Sequence, residues 1–144
     1  MILIIITYLY IQMSSIFSKI IAGEIPCYKI AEDEHHFAFL DIFPVAKGHT
    51  LVVPKEETDY FFDMEDSNMT SLMLFAKKVA IAIEKTISCE RIGMTVLGLE
   101  VPHAHIHLVP LDEKGIIRFS KKLKFSKEEF EAIAADIRAN IGDL

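Results

Sequence analysis

Three of the six histidines fall within five residues, in the stretch VPHAHIHLVP at positions 101–110. In an extended strand, alternate side chains share a face, so His103, His105 and His107 would stand together about 6.6 Å apart, with Ala104, Ile106 and Leu108 opposite. Such a face admits three readings. It could be a solvated polar surface without chemistry. It could supply ligands to zinc, as three-histidine catalytic sites do, in which case each ring needs an acceptor behind it. It could perform phosphoryl or nucleotidyl chemistry. A neutral imidazole keeps one unprotonated nitrogen near neutral pH, which attacks phosphorus when its other nitrogen is held as a donor. The flanking rings would then bind phosphate oxygens, and like-charge repulsion disfavours protonating all three. His105, with a neighbour on each side, is the natural nucleophile.

The elements that must position these residues alternate between two periods. A short helix is predicted over Ser14–Gly23, with Ile16, Phe17, Ile20 and Ile21 on one side and Gly23 as its stop. Pro26 prevents its continuation. Strands are expected at Cys27–Glu32, His36–Ile42 and Thr50–Val53, with Pro44 and Gly48 marking the turn between the last two. Asp66–Ile87 carries Met69, Leu72, Met73, Ala76, Val79, Ala80 and Ile83 at helical spacing and is the long helix. Further strands are expected at Arg91–Leu97 and His103–Leu111. A final helix opens on the capping box Ser126-x-x-Glu129 and buries Phe130, Ile133, Ala134, Ile137 and Ile141. Only the segment around the long helix is long enough for a parallel crossover, so an antiparallel α+β sheet is the expected class. His35 and His36 follow Glu32, Asp33 and Glu34 and are expected as solvated turn residues.

The run His103-Ala-His105-Ile-His107-Leu-Val resembles the H-φ-H-φ-H-φ-φ signature of the histidine triad (HIT) superfamily of nucleotide hydrolases and transferases. Upstream, IFSKIIAGEIPCYKI (Ile16 to Ile30) and FAFLDIFPVAKGHTLVVPK (Phe37 to Lys55) resemble the branch of the histidine triad nucleotide-binding proteins. The likeness spans about Ser14 to Pro110, and the tail after Leu111 diverges. The resemblance implies a five-stranded antiparallel sheet with a long central helix and shorter N- and C-terminal helices, pairing as a two-fold dimer with a ten-stranded sheet.

It also implies roles. His105 matches the nucleophile that forms a nucleotidyl-histidine intermediate. His103 and His107 match the residues that orient it and bind phosphate oxygens, and His49 matches the fourth histidine beside them. Asp41 matches the carboxylate that receives the ribose hydroxyls; read alone it is a turn residue. Phe17, Ile20, Ile25, Phe39, Leu40, Ile42 and Leu51 match the apolar lining of a nucleobase pocket; read alone they are core.

The implied activity is hydrolysis at the α-phosphate of purine nucleotide conjugates, without metal or cofactor. The alternatives are a dinucleoside polyphosphate hydrolase, a non-catalytic nucleotide-binding protein and a His-ligated metallohydrolase. Two departures bear on this. Leu99 and Glu100 stand where relatives carry polar residues that meet phosphate and leaving group, and a carboxylate there would repel polyphosphate unless it turns away. A basic leaving group such as an amine would suit Glu100 better. Ser15 and Ser18 stand where many bacterial relatives carry the Cys pair of a structural zinc site, so that zinc is not expected.

Composition sets the remaining bounds. With 144 residues, one domain is expected. Fifteen Lys+Arg against 21 Asp+Glu give a net charge of -6, which argues against non-specific binding to nucleic acid or an anionic membrane. Two separated cysteines, Cys27 and Cys89, signal neither a disulfide framework nor a zinc site and point to free thiols in a reducing, cytoplasmic setting.

Ten of the first twelve residues are apolar or Tyr. That segment is too short to span a bilayer as a helix and has no basic residue before Lys19 to make it a secretory signal. It reads as an edge strand, a peripheral anchor or sequence upstream of a true start at Met13, preceding a single domain at 13–144.

Overall fold

Strands β2 (His36–Leu40) and β3 (Thr50–Pro54) are buried at every position, because each face of their sheet is covered by a different layer. Residues 1–4 and 14–142 are described by the computed structural model. The other strands are β1 (Lys29–Glu32), β4 (Arg91–Thr95) and β5 (Ile106–Leu111); the helices are α1 (Ile16–Ile21), α2 (Asp66–Thr86) and α3 (Lys127–Arg138). The strand order is β1-β2-β3-β5-β4 and every pair is antiparallel, as the α+β reading requires. The long crossover through α2 lets β5 insert between β3 and β4.

The two faces divide the core. Ala38, Leu40, Val52, Ile106 and Leu108 pack with Leu72, Phe75, Ala76, Val79 and Ile83 of α2 and with Phe130, Ile133 and Ile137 of α3. Phe37, Phe39, Leu51 and Val53 point the other way and form a smaller cluster with Phe17 of α1. The apolar stripe of α2 is rotated slightly from its predicted centre: Phe75 and Ala82 are buried, while Met73 is 40% exposed. The capping box is present, with the Ser126 hydroxyl accepting from the Glu129 N–H and the Glu129 carboxylate accepting from the Ser126 N–H.

A 3-10 turn at Phe61–Asp63 was not signalled, since three residues carry no periodicity. His36 overturns its expectation. It is 5% exposed, because the strand begins at His36 itself and its ring turns onto Phe75 of α2 rather than into solvent. His35 is exposed, as expected. Both cysteines are free and half-buried.

The turn before β3 depends on Gly48, whose φ is +85° and whose added Cβ would lie 2.9 Å from Ile87 Cγ1. Replacing Gly48 by Ala is expected to cost about 1–3 kcal/mol, read as a lower urea midpoint. An unchanged midpoint would show that the turn relaxes.

Among the described residues no helix is long and apolar enough to cross a membrane. The expectations for the apolar segment 1–12 fall largely on residues 5–12, which lie outside the described residues; Met1 to Ile4 are exposed.

Candidate active site

The predicted strand His103–Leu111 is shorter than expected, since β5 begins at Ile106. Ahead of it the backbone leaves the sheet ladder: the Ala104 N–H donates to the Thr58 carbonyl at 2.6 Å and the His103 N–H to the Val101 carbonyl at 2.8 Å. Side-chain alternation nevertheless persists. Ala104, Ile106 and Leu108 enter the main core, while Phe17 meets the rings of His103 and His105 edge-on, at 5.8 and 5.0 Å between centroids. His107 lies opposite Leu51, a member of the same smaller cluster as Phe17. All three rings are buried, at 0%, 6% and 8% exposure, and the centroids of His105 and His107 are 4.9 Å apart.

Partners that can only accept, or only donate, fix the protons. His105 Nδ1 lies 2.7 Å from the His103 carbonyl, so Nδ1 carries hydrogen and the neutral ring keeps its lone pair on Nε2. His103 Nε2 donates to the Pro54 carbonyl at 2.7 Å, leaving Nδ1 to accept from the Ser15 hydroxyl at 2.7 Å. The Val45 N–H donates to His49 Nδ1 at 3.1 Å, so His49 carries hydrogen on Nε2 and donates to His107 Nδ1 at 2.9 Å. His107 is therefore left with an Nε2–H, a donor at the far end of a fixed relay.

Electrostatics agree with neutral rings. Burial pushes His49 down from 6.5 to about 4, against the pull of Asp41 and helped by Lys122. Burial likewise pushes His107 to about 3, with the charges of His105, His49 and Lys122 acting in the same direction. His103 is lowered by burial too, although its bond to Pro54 and the nearby Glu57 oppose the shift. Asp41 does two things: one carboxylate oxygen accepts the Phe43 N–H at 2.8 Å, and the other lies 3.6 Å from His49 Nε2.

The apolar residues divide. Phe17, Phe39 and Leu51 form the cluster under the triad face, with Ile20 packed on it. Ile25 is half-buried and Ile42 exposed. Leu40 does not reach this face. The alternation of β2 sends it into the main core beneath α2, so its expected place in a base pocket is corrected.

Ser15 and Ser18, singled out in the sequence only as replacing a Cys pair, belong to the site together with Glu57, which had no sequence signal. Ser15 caps α1 by accepting the Ser18 N–H at 3.0 Å, and Ser18 Oγ donates to Glu57, which also receives the Ser15 N–H. This network anchors His103. Two hydroxyls, one carboxylate and the single imidazole nitrogen of His103 are a poor donor set for structural zinc, which prefers several thiolate and imidazole ligands. Ser15→Ala removes a helix cap and the donor to a buried ring nitrogen, and is expected to cost about 1–2 kcal/mol in a urea titration; no loss would mean that water replaces the hydroxyl.

Phe119 packs edge-on to His107 at 5.0 Å and His49 at 6.1 Å, and Lys122 Nζ lies 5.6 Å above its ring. The Leu123 N–H ties this segment to the Pro44 carbonyl at 2.7 Å. Asp41, His49 and His107 have potential ligand atoms within 4.8 Å of one another. A cation there must displace the proton that His49 and His107 share. Leu99, 92% exposed, and Glu100 both face solvent in the loop between β4 and β5.

A three-histidine run entering a strand of an antiparallel sheet, closed by a fourth histidine from the turn before the next strand, defines a histidine triad protein. The family model of the HIT domain matches residues 22–114, and the chain belongs to the HIT family. It is 35% identical over 132 residues to an adenosine 5'-monophosphoramidase of Schizosaccharomyces pombe, covering 90% of this chain and 99% of that protein. A crystal structure of a HIT-like protein from Bartonella henselae superposes with a TM-score of 0.79 at 32% identity, covering 88% of this chain and 96% of that one. A zinc-bound histidine triad protein from Mycobacterium smegmatis superposes with a TM-score of 0.77 at 26% identity, covering 90% and 94%.

Proposed function

We propose that this protein is a nucleotide phosphoramidase-type hydrolase that cleaves at the α-phosphate through a nucleotidyl-His105 intermediate. The observation that carries the reading is the His105 Nδ1 bond to the His103 carbonyl at 2.7 Å, which leaves Nε2 as the reactive lone pair. Nε2 attacks phosphorus, the P–N bond breaks and the amine departs with a proton taken from solvent. Water then attacks the phosphorus, the Nε2–P bond breaks, the water proton passes to solvent, and His105 is regenerated with release of the nucleoside monophosphate. The His107 Nε2–H and the Lys122 charge stabilise the non-bridging oxygens. Asp41 offers acceptors to ribose, and Phe17, Phe39 and Leu51 offer an apolar bed for a purine. The similarity to a monophosphoramidase supports this substrate class, and Glu100 is exposed to solvent.

The test is intact-protein mass spectrometry after rapid mixing with an adenosine phosphoramidate. An AMP adduct on the peptide containing His105 is expected. Turnover without any adduct on that peptide, in quenched reactions, would overturn the covalent route.

The pairing implied by the family has a physical counterpart in the exposed Met73, Leu74 and Ile81 of α2 and Met94 of β4, an edge strand. A two-fold dimer through this face is part of the proposal. Light scattering after size exclusion should give twice the chain mass, and a monomer at micromolar concentration would refute it.

A further inference from the structure

On the α2 face of the sheet, opposite the triad, the β1–β2 turn and the second turn of α2 bring together an Asp, a His and a Ser that the nucleotide chemistry does not use. Asp33 accepts the backbone N–H groups of His35 and His36 at 2.9 and 2.7 Å. Both of its carboxylate oxygens lie 2.9 Å from His36 Nδ1. Burial pushes the Asp33 carboxyl up, but these hydrogen bonds outweigh it and hold the group below its usual range. An ionised carboxylate can only accept, so His36 carries hydrogen on Nδ1 and the neutral ring points its Nε2 lone pair at Ser71 Oγ, 3.1 Å away.

The ring cannot swing aside, because it is stacked on Phe75 at 5.1 Å with an interplanar angle of 29°. The Ser71 hydroxyl has a competing acceptor in the Asn68 carbonyl at 3.1 Å, the usual back-bond of a helical serine. It is half-buried and opens on a cleft of about 70 Å³ lined also by Pro54, Thr58, Met64 and Asn68. An acetyl group fits, whereas a nucleotide, which needs several hundred Å³, does not.

A serine hydroxyl, a buried imidazole within hydrogen-bond reach and a carboxylate fixing the ring's tautomer form the arrangement that activates serine. We propose that Ser71 is an activated nucleophile, with His36 as its base and Asp33 as the group that orients His36, and that it accepts a short acyl group from an activated ester. Ser71 Oγ attacks the carbonyl carbon and its proton passes to His36 Nε2. The tetrahedral oxyanion then collapses, breaking the ester C–O bond, and the leaving oxygen takes the proton from His36 or departs as the anion while His36 gives its proton to solvent, so that His36 is again neutral. Water, deprotonated by His36, releases the acid and restores Ser71. The Asn68 amide, one turn earlier on the same helix face, donates to the Glu56 carboxylate at 3.5 Å and must turn from it to meet the oxyanion.

The experiment uses the full chain with His105→Asn, so that the triad cannot take the acyl group itself, and p-nitrophenyl acetate as the probe. Nitrophenolate release and peptide mass spectrometry should show a single acetyl group at Ser71, lost in Ser71→Ala. His36→Gln and Asp33→Asn, checked for folding by circular dichroism, should each slow acylation by on the order of 10²-fold. The butyrate ester should react much more slowly than the acetate, given the size of the cleft. Acetylation at other residues at a rate unchanged by Ser71→Ala would overturn the proposal, as would Ser71 labelling that is indifferent to His36.

Discussion

His105→Ala is expected to lower turnover of an adenosine phosphoramidate by on the order of 10⁴-fold, equivalent to about 5 kcal/mol of barrier. The side chain removed is the one whose Nε2 lone pair is set free by the 2.7 Å bond from Nδ1 to the His103 carbonyl. No neighbour substitutes for it. His107 has its lone pair engaged by His49 at 2.9 Å, and His103 has its own engaged by Ser15 at 2.7 Å. His107→Ala removes one donor from the developing charge and should cost less, on the order of 10²–10³-fold.

The ranking separates mechanisms. If a metal held by Asp41, His49 and His107 delivered the attacking water, His49→Ala would be as damaging as His105→Ala, and chelation would abolish activity. Steady-state kinetics on the three variants, with and without chelator, decides between them. Equal turnover by His105→Ala would end the nucleophile assignment.

The second large effect is on stability. His49 and His107 titrate at about 4 and about 3 in the folded chain against 6.5 when unfolded, and His103 is shifted the same way. Below 6.5 the unfolded chain binds protons that the folded chain refuses, so stability falls as pH drops. It is fully present above pH 6.5 and declines towards pH 4, by up to 1.36 kcal/mol per pH unit for each group. Because His49 and His107 share one hydrogen bond their effects do not add, and the loss by pH 4.5 is about 2–4 kcal/mol.

Urea midpoints at pH 7 and pH 4.5 measure it. The lowered carboxyls of Glu32 and Asp33 contribute below that window. His107→Gln should flatten the dependence between the two pH values, and an unflattened one would place the acid-sensitive groups elsewhere.

What could be read from the chain alone was what depends on near neighbours. The alternation of His103, Ala104, His105, Ile106 and His107 follows from a two-residue period, and it survives even where the regular strand has not yet begun. The α2 stripe and the Ser126–Glu129 capping box are equally local, as is the Gly48 turn that delivers His49. The family resemblance, too, rests on contiguous motifs.

Tertiary structure decided where the protons sit. The partners that fix the tautomers of His103, His49 and His107 are Pro54, Ser15, Val45 and one another, and several of these are separated by tens of residues in sequence. It also decided that Leu40 faces away from the site, that Phe119 covers His107 despite its divergent surroundings, and that Ser15, Ser18 and Glu57 anchor His103. His36 shows the same division. Its acidic neighbours in sequence suggested a solvated turn, but the pairing of β2 with β3 and the docking of α2 buried the ring between Asp33 and Ser71. A charged neighbour along the chain describes the unfolded surroundings of a residue; burial and hydrogen-bond direction come from segments that only folding brings close.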